Sequence, residues 1–485
     1  MTDRLSSLDV SFLYLEGRTT PMHVGGLAIF EPPADGFDYE RLVTLLEERI
    51  SLVPRYRQKV RFIPGRIANP VWLDDPEFDI TYHVRRSALP RPGSEEQLRE
   101  FCARIQSRPL DRSRPLWEMY LVEGLSGGRV AIITKTHHAV VDGISAIDIG
   151  QVILDASPVP REVPEDLWMP EPEPSSTQLF VEAVNELIRR PGAVVDTVRL
   201  GVNDVRSTAG RLVGAVESIA SAVKVAIRPA PPSPLNTGIG EQRRYGTAAT
   251  SLEDYKLVRK QHGGTINDVV LATVAGALRG WLLFRGESVT PATTIRAMVP
   301  VSVRTDADLD SALGNKVSAF FVDLPIGEAS PLMRLAQVSY AMQAHSESGQ
   351  SVGADSIVAL SGFAPPTLHA MGARAANEFT RRLFNLVVTN VPGPQFPLYA
   401  AGAEMTQMYP ILPLATGQAV SVGLTSYNGG VYYGLNADRD SMPDVDVLAT
   451  LIEESLEELV AASQAPKTPA ARTGRAAKKS GSVAQ

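Results

Sequence analysis

Two adjacent histidines, His137 and His138, stand five and four residues ahead of an Asp142-Gly143 pair in the segment THHAVVDGIS. A free imidazole titrates near about 6.5, so modest tuning lets it take a proton from a hydroxyl at neutral pH. This spacing therefore suits a general base. Asp142 can fix the local turn, and Gly143 permits a backbone approach that a Cβ would block. The same pair can also be read as a hydrogen-bonded structural pair at a strand end. Metal chelation fits poorly. Consecutive strand residues point to opposite faces, and no further His or Cys lies nearby at ligand spacing.

The flanking elements must position these residues. Val130 to Thr136 is short, apolar and β-branched, which predicts a buried strand, and Ile144, Ile147 and Val152 recur at helical intervals through Leu154. The histidines then sit where a strand ends and a turn begins, a common location for chemistry in α/β folds.

HHAVVDG resembles the HHxxxDG signature of the acyltransferase superfamily that includes chloramphenicol acetyltransferase, peptide-synthetase condensation domains and the bacterial wax ester synthase/diacylglycerol acyltransferases. Further segments resemble the last of these, in order. They are LSSLDVSFLYLEGRTTPMHVGGLAIFE, VPRYRQK, PVWLDDPEFDITYHV and RPLWEMYLVEGL, then SPLN, TINDVVLATVAGALRGWL, MVPVSVR, LGNKVS and NLVVTNVPGP. The resemblance runs from about Leu5 to about Val460.

It implies an α/β protein of two chloramphenicol-acetyltransferase-like mixed-sheet subdomains with a tunnel between them, joined by a helical connector. By the same resemblance His138 is the base, taking the acceptor's proton and returning it to the leaving thiolate. His137 is supporting, either as a second participant near the acceptor or as a residue that orients the loop. Asp142 is implied to be structural, turned from substrate toward an arginine. Arg304, at the end of MVPVSVR, is the candidate partner, although it also reads as a solvated loop charge beside Asp306. Asn267 has two readings, a helix N-cap and a hydrogen bond near the thioester carbonyl. Pro115, Leu116 and Trp117 resemble a block for packing and substrate binding, and read equally as buried core. Gly143 is a weaker substrate-binding candidate, and Gly314, Asn315 and Asn390, with Gly393, are weaker candidates that read as turn residues shaping the tunnel.

The implied reaction moves a long fatty acyl group from acyl-CoA to diacylglycerol, giving triacylglycerol, or to a fatty alcohol, giving a wax ester. Acyl-CoA is a co-substrate, and no bound cofactor or metal is implied. The chain has no convincing Cys/His pair, which fits direct attack without an acyl-enzyme, and no glycine-rich phosphate loop. Competing readings are a carrier-protein-dependent acyltransferase of lipid or polyketide assembly, an amide-forming condensation enzyme, and a catalytically silent lipid-droplet protein.

Composition is compatible with these readings. The 485 residues suffice for two or three domains, and 44% hydrophobic with 21% charged residues describes an ordinary globular protein. A formal net charge of -7 gives no case for nucleic acid. Cys102 is the only cysteine, so no intramolecular disulfide forms, and its helical context predicts a buried apolar filler. Residues 1–160 read as the N-terminal subdomain, 161–244 as a Pro-rich linker and amphipathic helical connector, and 245–463 as the C-terminal subdomain. Residues 464–485, basic and free of acids, read as a disordered tail. No signal-like segment and no run of 18 or more uncharged apolar residues is visible, which predicts a cytoplasmic protein peripheral to the membrane or to lipid droplets. Contact with lipid would fall to the connector, the tail or neither, and oligomeric state is left open, a homo-oligomer included.

Overall fold

Strand and helix periods alternate along both halves of the chain, and in the computed structural model they become two mixed sheets with helices packed on them. The structure describes residues 3–141, 149–164, 166, 168–189, 229–302, 317–348, 352–353 and 383–465. The expectations for the helical connector beyond Arg189 and for the basic tail lie outside the described residues. Among those described, 156–175 carry neither helix nor strand, as the Pro and Glu content predicts.

The first half runs β1 (Asp3–Arg4), α1 (Ser7–Leu15), β2 (His23–Glu31), α2 (Tyr39–Arg49), β3 (Gln58–Arg61), β4 (Val71–Asp74) and α3 (Ile80–His83). It continues through β5 (Val84–Ala88), α4 (Glu95–Gln106), β6 (Trp117–Glu123), β7 (Val130–His137), α5 (His138–Val141), α6 (Ile149–Val152) and α7 (Ser176–Arg189). The second half contains β8 (Arg243–Ser251), α8 (Leu252–His262), α9 (Ile266–Phe284), β9 (Ile295–Ser302), β10 (Val317–Leu324), α10 (Pro331–Ser348) and β11 (Val352–Gly353). After these come β12 (Leu386–Pro392), β13 (Tyr399–Ala400), β14 (Ala403–Ile411), β15 (Val420–Tyr427), β16 (Gly430–Asp438) and α11 (Val445–Gln464).

One sheet has the order β13-β14-β2-β7-β6-β5 and the other β11-β10-β9-β12-β15-β16-β8, with a small sheet β1-β4-β3 beside them. The segment that carries β13 and β14 follows five strands of the second sheet, yet it adds to the first, with Tyr409 opposite Leu27. The second half thus lends an edge to the sheet that carries the histidine pair.

Strand β7 is buried along its whole length, which explains its near-continuous apolar sequence. Val130 and Ile132 pack with the helices of one face, while Ala131 and Ile133 pack with Leu98, Cys102 and Ile105 of α4 on the other. A capping box of Ser94 and Gln97 starts α4, and the Lys135 ammonium holds its far end by donating to the carbonyls of Ile105, at 3.1 Å, and Arg108. Burial pushes the Lys135 ammonium down to about 8, against the pull of Glu118. Beyond α6, the buried Arg49 guanidinium donates to the Val152 carbonyl and pairs with Asp155 at 2.7 Å.

Helix α9 is capped by Thr265, with Asp268 completing a capping box. It is long and apolar enough to cross a bilayer by length and composition, although Asp268 and Arg279 interrupt it, and 67% of its apolar window is buried inside the protein. It packs on α11 as the core helix of the second half.

Candidate active site

β7 ends at His137 and α5 begins at His138, so the pair straddles the change from extended to helical backbone. The His138 main-chain N–H donates to the Met22 carbonyl at 2.8 Å, tying the turn to the segment that leads into β2. Its ring stacks on Phe12 of α1, with centroids 4.1 Å apart. His138 is only partly buried; Nδ1 lies inside with no hydrogen-bond partner among the described residues, so Nε2 is the open nitrogen. Burial pushes its imidazole down to about 4, opposed by its own main-chain carbonyl and helped by His137. The ring is therefore neutral at pH 7, with a lone pair available.

His137 is 1% exposed and does not reach solvent. Its Nδ1 accepts from the Ala139 N–H at 3.1 Å, and its Nε2 lies 3.6 Å from Glu16 Oε2. Glu16 forms the C-cap of α1, and its other oxygen lies 3.3 Å from His23 Nε2 and accepts from the Met22 N–H at 3.3 Å. Arg112 Nε donates to Glu16 Oε2 at 3.0 Å. Burial alone would raise the Glu16 carboxyl; His137, His23 and Arg112 outweigh it and hold the group well below the usual carboxylate range. His23 is likewise buried, and burial pushes its imidazole down to about 4 against the pull of Glu16. Sequence reasoning missed Glu16, His23 and Arg112. The available signal was an acid inside the apolar run LYLEGR.

In the second half Thr265, not Asn267, is the N-cap of α9, so Asn267 occupies the second helical position. Its Oδ1 accepts from Asn390 Nδ2 of β12 at 3.4 Å, which leaves its amide N–H groups to donate elsewhere. They sit at the positive end of a 19-residue helix. No described hydrogen bond joins the Asn267–Asn390 pair to His138.

The sequence model of the wax ester synthase/diacylglycerol acyltransferase catalytic domain matches residues 5–270, and that of the WS/DGAT C-terminal domain matches residues 313–460. The chain belongs to this family. It is 35% identical over 467 residues to a probable diacylglycerol O-acyltransferase, tgs2, of Mycobacterium tuberculosis, covering 94% of this chain and 98% of that one. It is 48% identical over 263 residues to a second such protein, tgs3, of the same organism, covering 54% of this chain and 97% of that one. The solved wax ester synthase/diacylglycerol acyltransferase of Marinobacter aquaeolei VT8 superposes with a TM-score of 0.68 at 28% identity, covering 95% of this chain and 99% of that one.

Within this member of the wax ester synthase/diacylglycerol acyltransferase family, Pro115, Leu116 and Trp117 are buried. The Leu116 carbonyl accepts from the His137 N–H at 2.9 Å, and Trp117 Nε1 donates to the Tyr56 carbonyl at 2.7 Å while its ring stacks on His83. The block thus supports the end of β7 from the core. Gly393 donates to the Ser426 carbonyl, and a Cβ there would lie 2.4 Å from that oxygen. Asp142, Gly143, Arg304, Gly314 and Asn315 lie outside the described residues, so the Asp142–Arg304 pairing does as well.

A hollow of about 70 Å³ opens on the face of β7 that carries Ile132 and Thr134, walled by Gly26 and Ala28 of β2, Met405 and Met408 of β14, and Ile153 and Leu154 after α6. Its small and flexible lining suits an apolar chain rather than a charged group. A second hollow, of about 280 Å³, lies between the halves at α4 and β8, and its arginines and acids suit charged groups.

Proposed function

We propose that the chain is an O-acyltransferase that moves a long fatty acyl group from acyl-CoA to the free hydroxyl of diacylglycerol, giving triacylglycerol, and to fatty alcohols, giving wax esters. The observation that carries this reading is the contrast within the histidine pair of a family member. His138 is open at Nε2 and neutral, while His137 is sealed beneath it.

His138 Nε2 takes the acceptor's hydroxyl proton as the oxygen attacks the thioester carbonyl. The tetrahedral oxyanion forms, the C–S bond breaks, and the imidazolium returns the proton to the thiolate, releasing CoA and the ester. Asn267 is the oxyanion donor, backed by the N-terminus of α9 and oriented by Asn390. The acyl tail runs along β7 into the apolar hollow, where Met405 and Met408 yield to it.

Acceptor and product are water-insoluble, so this reading places the protein at a membrane or lipid-droplet surface on the cytoplasmic side. Val391 and Phe396, exposed just after Asn390, would give the site an apolar lip.

The test is purified protein with radiolabelled palmitoyl-CoA and diacylglycerol or hexadecanol, beside His138→Ala, with products resolved by thin-layer chromatography. Labelled triacylglycerol or wax ester from the wild type alone is expected. Turnover undiminished in the variant would remove His138 as base, and no neutral lipid from folded wild type would remove the activity.

A further inference from the structure

We propose that Glu16 is a positioning residue for His138, acting through the His137 ring and the first turn of α5. The inference rests on His138 being the base.

His137 Nδ1 accepts from the Ala139 N–H, so that nitrogen bears no hydrogen and the ring's hydrogen lies on Nε2. That nitrogen is the one facing Glu16 Oε2, at 3.6 Å. The distance is too long for a hydrogen bond, but a carboxylate so placed in a buried site favours the Nε2–H tautomer over the alternative. With the proton on Nδ1 instead, the ring would have no lone pair for Ala139, and a buried main-chain N–H at the start of α5 would lose its partner.

The other groups around Glu16 keep it charged and still. Arg112 balances its charge through Nε at 3.0 Å, and His23 and the Met22 N–H occupy the second oxygen. Met22 is also the residue whose carbonyl accepts from the His138 N–H, so the segment that Glu16 holds contacts the base directly. Phe12, which faces the His138 ring, lies on the helix that Glu16 caps. One short helix thus seats both histidines, the inner by charge and the outer by stacking. No other described carboxylate lies within ion-pair distance of either ring.

Glu16→Gln keeps the shape and removes the charge. A base displaced by about 1 Å loses on the order of a hundredfold in rate, so kcat is expected to fall roughly tenfold to a hundredfold, with KM for acyl-CoA within about twofold. The acceptor assay with palmitoyl-CoA and diacylglycerol reads both constants. Histidine 15N NMR of the full chain reads the tautomer, expected as Nε2–H for His137 in the wild type and as a mixture in Glu16→Gln.

A folded Glu16→Gln protein with wild-type kcat, a loss confined to KM, or an unchanged His137 tautomer overturns the proposal. If that variant does not fold, Glu16→Asp decides, because it keeps the charge but draws the carboxylate back from His137. A folded Asp variant with wild-type kcat overturns the proposal equally, and a lowered kcat supports it. Wild type inactive in the same assay, or His138→Ala fully active, would instead count against the reaction or the base.

Discussion

The ring of Phe12 lies flat against the imidazole of His138, with centroids 4.1 Å apart and planes inclined by 18°. A stacked pair of this kind is worth about 0.5–1.5 kcal/mol beyond its buried area, and it limits rotation of the His138 ring, the proposed base. Phe12→Leu keeps the apolar volume and loses the flat partner. The expected result is a fall in kcat of roughly threefold to tenfold with the fold retained, the same energy expressed as a rate. Steady-state kinetics with a far-UV spectrum check it, and an unchanged kcat would show that stacking does not hold the base.

Acid should weaken the fold in a defined window. His138 and His23 are both held near about 4, whereas in the unfolded chain each titrates at its ordinary value of about 6.5. The unfolded state therefore binds protons first as pH falls. Stability is full above about 6.5, declines toward about 4, and is level for these groups below that, with each contributing at most about 3 kcal/mol. Glu16 acts in the same direction at lower pH, since its depressed carboxyl stabilises the fold only while ionised. Urea midpoints at pH 7 and pH 4.5 provide the measurement. The acid limb of kcat/KM should likewise fall below the ordinary imidazole range, and a limb at about 6.5 would contradict the placement of His138.

Asn390 donates to Asn267 at 3.4 Å, and the proposed reaction gives the two amides different tasks. With Asn267 as the proposed oxyanion donor, Asn267→Ala should cost about a hundredfold to a thousandfold in kcat. Asn390→Ala removes only an orienting bond and should cost about tenfold or less. Because the second acts through the first, the double variant should resemble Asn267→Ala alone, and additive losses would separate the two residues.

Gly25 and Gly26 are neighbours on β2 with opposite tolerance. A Cβ on Gly25 would lie 2.0 Å from the Thr134 carbonyl oxygen, whereas one on Gly26 would have its nearest neighbours at 3.8 Å, Thr134 Oγ1 and the Tyr409 carbonyl. Gly25→Ala must therefore push β2 from β7 and disturb the His23–His137 pairing, destabilising by about 1–3 kcal/mol and lowering kcat with it. Gly26→Ala should fold normally and only narrow the hollow beside Thr134 and Met408, favouring shorter acyl donors. Thermal melts and a chain-length series of acyl-CoA distinguish the two.

Much of the scaffold was legible in local periodicity. The apolar run expected at Val130 to Thr136 is β7 extended by one residue, and the helical context expected around Cys102 is α4, where Cys102 is buried. β14 had no such signal, because AEMTQMYPI alternates weakly and contains Pro410, and its place in the first sheet depends on β2 rather than on its own sequence. The HHAVVDG spacing located the turn that bears His138, since the step from strand to helix is set by nearby residues. The surroundings of that turn were set elsewhere. Glu16 meets Arg112 across 96 residues and Asn267 meets Asn390 across 123, and no local pattern specifies a partner at that range. Sequence alone determined which residues are candidates for the chemistry and, for His137, His138 and Asn267, the elements on which they stand. Only the packing of the sheets and α1 decided which histidine is open and which is sealed, because burial and charge partners depend on what the rest of the chain brings alongside.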